Sequence, residues 1–127
     1  MGKNAPTLEE VAAFLEAAEE AGDLEHALAC LLALSGLSLR AVCGANIADI
    51  EQHDETSVLH VSLTGGAPTP VPLAPRTARA LEEHLGVRHG GPLLVSEDGV
   101  PLTPAGAAQI VRRIVRDAGL GHRLWGS

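Results

Sequence analysis

Tyrosine is absent from all 127 residues, and Phe14 and Trp125 are the sole phenylalanine and tryptophan. Chemistry that begins at a phenolic hydroxyl is closed to such a chain. Its core has to be filled by aliphatic side chains, and a hydrophobic content of 46% is enough to do so. Lysine is nearly missing as well, with Lys3 the single example. Cysteine occurs twice, as Cys30 and Cys43, in neither a C-x-x-C pair nor a secreted-style disulfide framework. Two buried thiols in a reducing cytoplasm suit that usage, and no charged-then-apolar leader precedes Thr7. The apolar run Ala27 to Leu34 is much too short to span a bilayer. The expectation is a soluble, cytoplasmic chain whose residues 1–127 form a single domain.

Charge is distributed unevenly. Through Ala74 two basic residues, Lys3 and Arg40, face eleven acidic ones, a net of −9; from Pro75 onward seven arginines outnumber five acids, a net of +2. Duplex DNA binding draws most of its affinity from counterions released by Lys and Arg. Only the second half of the chain therefore has the composition of a DNA surface.

Taken in order, Thr7 opens a first helix with Glu10 three residues on, a capping box, and Leu8, Val11, Ala12 and Leu15 form its apolar stripe. Glu9, Glu16, Glu19 and Glu20 make a solvated outer face. Gly22 stops that helix and Asp23 caps a second, Leu24 to Leu34, which is apolar nearly all round and so is expected at the centre of the core. A short third helix is expected from Ser38 to Cys43. From Val58 the period changes to two, a strand signal; Thr64 to Pro68 is a turn, and Thr69 to Leu73 a second strand with Pro72 at an edge. Pro75 begins a helix to Leu85 with Ala78, Leu81 and Leu85 inward; Leu93 to Ser96 reads as a short strand; Thr103-Pro104 opens a last helix ending near Ala118. The fold class expected is mainly α with a small antiparallel β-sheet.

The stretch Leu34-Ser35-Gly36-Leu37-Ser38-Leu39-Arg40 through Gly44 to Asp49-Ile50 resembles the first active-site segment of the tyrosine recombinases, or phage integrases, commonly worded T-G-L-R-x-S-E-x-x-G-L-x-x-x-D-I. Thr64 to Leu73 resembles the family's hairpin, G-K-G-x-K-x-R-x-V-P-L, and Gly91 to Pro104 resembles the run upstream of its His-x-x-Arg box. The resemblance covers Thr7 to Leu124 and implies a truncated recombinase catalytic domain, its first half to two-thirds. It also implies which positions carry chemistry. Ser38 stands where the family has the arginine that grips the scissile phosphate, and Thr64 where it has the lysine that protonates the leaving oxygen. Arg40 lies two residues past Ser38, which along a helix turns it away from that position. His122 precedes the place of the distal box and has no arginine three residues on, so no catalytic role is carried to it.

The implied function is a non-catalytic integrase-like domain acting through protein association. The alternative is an accessory that contacts integrase-type DNA sites without cutting. Arg112, Arg113, Arg116 and Arg123 are the candidate DNA contacts, with a solvated helix face as the plainer reading. The second half of the family fold has no counterpart here, so an aliphatic face is expected to be covered by a second copy or a partner. No cofactor is expected, since Gly65-Gly66 is followed by neither the Lys nor the helix start of a phosphate loop. Nor is a metal: His84 with His89, and His53 with His60, lack the spacing of ligand pairs. Cys30 and Cys43 have no evident activating neighbour.

Overall fold

The computed structural model describes residues 7–62 and 66–120. Thr7 caps the first helix, α1 (Leu8–Ala21): its hydroxyl accepts the Glu10 N–H at 3.1 Å, and Glu10 Oε1 accepts the Thr7 N–H at 2.9 Å. The buried stripe of α1 is Phe14, Leu15 and Ala18 with Val11 at its margin, whereas Leu8 is 88% exposed and Ala12 is exposed. The expected stripe was thus rotated. At about 100° per residue, Ala12 lies roughly 110° from the centre of the face that Val11, Phe14, Leu15 and Ala18 share.

The second helix, α2 (Asp23–Ala33), is buried without interruption from His26 to Leu32, and α1 packs on it. Its cap is Gly22, not Asp23. The Asp23 carboxylate instead lies 2.9 Å from His84 Nδ1, a tertiary contact that competes with the local cap. Beyond α2, Gly36 at φ 69° turns the chain into α3 (Leu39–Cys43).

A 3-10 turn at Ile47–Asp49 leads into a three-stranded antiparallel sheet of β1 (Ile50–His53), β2 (Thr56–Val61) and β3 (Thr69–Leu73), in that order. Glu51 faces Val58 in the first pairing and Leu59 faces Val71 in the second. The strand β1 was not foreseen, because Glu51, Gln52 and His53 are all exposed and leave no apolar alternation. Leu59, Val61 and Leu73 carry the buried side of the sheet. β3 lies at the edge, where Pro70 and Pro72 cost no ladder bond on the open side.

The next helix, α4 (Pro75–Leu85), has Pro75 in its first turn and buries Thr77, Ala80 and Leu81, with Ala78 and Leu85 half-buried. Leu93, Leu94 and Val95 are buried but do not form the expected strand; only the single bridges Asn46 to Pro92 and Val95 to Pro101 occur. Their backbone is satisfied piecemeal. Ala45 O accepts the Leu93 N–H, Leu94 O accepts the Leu102 N–H, and the Arg88 guanidinium donates to Pro92 O at 2.7 Å and Leu93 O at 3.2 Å. Thr103 caps the last helix, α5 (Pro104–Asp117), which lays Ala107, Ile110, Val111, Ile114 and Val115 onto α1, α2 and α3. Among the described residues, the exposed large hydrophobics are single side chains from separate segments, Leu8, Leu34, Val87 and Val100.

Candidate functional site

Between α3, the 3-10 turn and the end of β2 lies an open cavity of about 470 Å3. Ser38, Arg40, Asn46 and Asp49 line one side, and His60, Val61, Ser62 and Pro68 the other. Ser38 is there because it is the N-cap of α3: its backbone is extended (φ −79°, ψ 162°) and its Oγ accepts the Ala41 N–H at 3.1 Å. That geometry overturns the expectation for Arg40. The rule of about 100° per residue holds inside a helix, but Ser38 stands outside it, so Ser38 and Arg40 open onto the same cavity.

Among the described residues, Arg40 is the only arginine or lysine of the lining. Asp49 lies on the same lining, with one of its oxygens taken by the Asn46 N–H at 2.9 Å. Among the described residues the cavity therefore combines one guanidinium with the Asp49 carboxylate, the His60 imidazole and neutral hydroxyl and amide groups. It can hydrogen-bond a polar ligand, but it offers no pair of cations to share a doubly contacted phosphate. Thr64 and Arg123 lie outside the described residues, as does His122.

Replacing Ser38 by Ala tests the capping role. It should cost about 1 kcal/mol of unfolding free energy, read by denaturant titration. A cost near zero would show that the hydroxyl is free for other work.

The three remaining arginines of the sequence reading sit on α5, away from the cavity. Arg112, Arg113 and Arg116 are all exposed; Arg113 comes within 3.9 Å of Glu25 Oε2. Arg76, by contrast, is drawn into the fold, donating to His26 Nε2 at 3.3 Å and to Glu19 Oε1 at 3.4 Å.

The two cysteines lie in environments that suppress reactivity. Burial pushes the Cys30 thiol up, with the nearby Arg76 guanidinium opposing part of that rise, and burial alone raises Cys43. Neither is favoured as a thiolate at neutral pH.

On the outer side of the sheet, His60 Nε2 lies 2.7 Å and His53 Nε2 3.2 Å from the same Glu51 oxygen. Among the described residues no group of three or more His, Cys, Asp or Glu side chains is placed to hold a metal ion. The hydrogen bond from His60, and then that from His53, holds the Glu51 carboxyl below the usual glutamate range. A depressed folded-state value means a contribution to stability that is present above the unfolded-state pKa and lost as pH falls through the folded one. In an NMR pH titration Glu51 should protonate below an ordinary glutamate, and His60→Ala should move its midpoint upward. An ordinary midpoint in the unsubstituted chain would contradict the assignment.

The order of elements, a buried α2 ringed by α1, α4 and α5 with a three-stranded sheet inserted between α3 and α4, defines the class: the chain has the fold of the tyrosine recombinases, or integrases, as far as its described residues extend. The crystal structure of XerA recombinase superposes with a TM-score of 0.78 at 21% identity, over 94% of this chain and 44% of that one. XerH site-specific recombinase bound to its difH substrate matches with a TM-score of 0.76 at 20% identity, over 94% of this chain and 38% of that one. Lambda integrase bound to DNA gives 0.72 at 18% identity, over 94% and 46%. The chain thus spans less than half the length of each. No protein-family model and no curated protein matches the sequence. Among the described residues no helix is long and apolar enough to cross a membrane.

Proposed function

We infer that this chain is an integrase-fold domain that does not cut DNA, and that it serves DNA recombination through contacts with other protein chains. The observation that carries the reading is the state of Ser38. The resemblance assigns to that position the arginine that grips the scissile phosphate, and here it holds a neutral hydroxyl engaged in capping α3 at 3.1 Å. A hydroxyl can donate one hydrogen bond but cannot neutralise charge that develops on a phosphoryl group.

Two further features support it. Arg40 supplies one exposed guanidinium to the cavity, with Asp49 on the same lining, so the cavity's cationic character is slight. The 127 residues also contain no Tyr, and the family's covalent step needs a Tyr hydroxyl as nucleophile.

The test is a duplex carrying a nick that traps the covalent intermediate of recombinases. Incubation with this chain should leave no protein attached to DNA on a denaturing gel. A covalent band would overturn the reading.

A further inference from the structure

On the outer face of α5, Arg112 and Arg116 stand one helical turn apart, roughly 6 Å along the axis. Both are exposed, and neither guanidinium makes a hydrogen bond or ion pair among the described residues. Exposed Gln109 and Ala105 continue that face, and Asp117 is the only acid of the helix. An unneutralised basic strip is unexpected on a chain of net charge −7. The matching surface is on the same molecule. α1 exposes Glu9, Glu16 and Glu20 in one stripe, with small Ala12 between the first two, while neighbouring Glu19 is engaged by Arg76. Glu16 and Glu20 have the same one-turn spacing as the arginine pair.

We propose that the outer face of α5 docks on α1 of a second copy of this chain, Arg112 and Arg116 of each copy meeting Glu16 and Glu20 of the other. Within one molecule α1 and α5 are in contact, and the proposed two-fold axis would form both sets of contacts at once. A second copy fits better than a duplex. DNA meets the whole acidic chain as a polyanion, whereas a copy brings carboxylates at the spacing of the guanidinium groups. Screening weakens the repulsion in both cases, but a copy spreads a net −7 over its whole surface whereas a duplex carries about one negative charge per 1.7 Å of its axis. Exposed ion pairs are individually weak, so the four pairs together place dissociation of the dimer on the order of 1 mM. This inference rests on the association reading above and names its partner and its surface.

Sedimentation of the full chain from about 10 μM to 1 mM in 0.1 M salt should show a dimer that forms with concentration and is lost in 1 M salt. R112E/R116E should weaken it at least tenfold, as should E16R/E20R. An equimolar mixture of the two variants should recover dimer, because one then carries two acidic faces and the other two basic ones. If the reversed charges disturb folding, as a thermal melt would reveal, R112Q/R116Q gives the same comparison. A dimer indifferent to salt and to both variants overturns this proposal while leaving association intact. A monomer at 1 mM overturns this proposal and leaves the association reading to contacts with a different chain. A monomer that binds duplex through Arg112 and Arg116 overturns both in favour of the DNA accessory. The nicked-duplex assay is independent of all three outcomes.

Discussion

Leu28→Ala should lower the unfolding free energy by about 2–5 kcal/mol, the range for emptying a fully buried leucine site whose walls relax only in part. Leu28 has no exposed surface and sits midway along α2, the helix on which α1, α4 and α5 all pack. With Phe14 as the one buried aromatic ring among the described residues, the core depends on many aliphatic contacts. No single large ring can close over the gap. Denaturant titration should show a lower midpoint with an unchanged slope. A loss below about 1 kcal/mol would mean that α2 is not the centre of the packing.

His84→Ala should cost about 1–3 kcal/mol although it removes a polar side chain. The ring of His84 is 5% exposed and joins three segments: Nδ1 lies 2.9 Å from the Asp23 carboxylate at the start of α2, and Nε2 accepts the Val95 N–H at 3.2 Å. Those roles fix the tautomer, with the proton on Nδ1. Truncation leaves the N–H of buried Val95 without an acceptor, whereas Asp23→Asn, at an exposed carboxylate, should cost under about 1 kcal/mol. Hydrogen exchange at the Val95 amide should quicken in His84→Ala far more than in Asp23→Asn. Equal effects would place the strength of the cluster in the hydrogen bond to Asp23 instead.

The same cluster shows where sequence reading reaches its limit. Thr7, Ser38 and Thr103 announce helix starts through purely local hydrogen bonds, and α1, α3 and α5 begin where those residues put them. Asp23 carries the same local signal, but a histidine sixty-one positions away claims its carboxylate, and no local pattern encodes that competition. β1 went unseen for a related reason. Its pairing with β2 is set by neighbours in space while its own side chains face solvent. In the cavity, Ser38 was legible as a special position, but Arg40, Asn46 and His60 join it only because an extended cap residue and a hairpin bring separate segments together. The preference of Ser for the N-cap is the signal that places Arg40 beside Ser38, since a cap residue lies outside the helical rotation.

On the proposed reading, fold and chemistry are separable in this chain. The scaffold keeps its packing through aliphatic burial and helix caps, neither of which needs the cations that a reacting phosphate requires. On that reading the scaffold is kept while the position of Ser38, occupied in capping α3, supplies no cation to a phosphate.

Intact mass of the protein after incubation with a nicked duplex at high concentration tests this most directly, since covalent attachment through any side chain adds the mass of the trapped strand. The account predicts a mass identical to that of protein never exposed to DNA. A species heavier by that strand would contradict it.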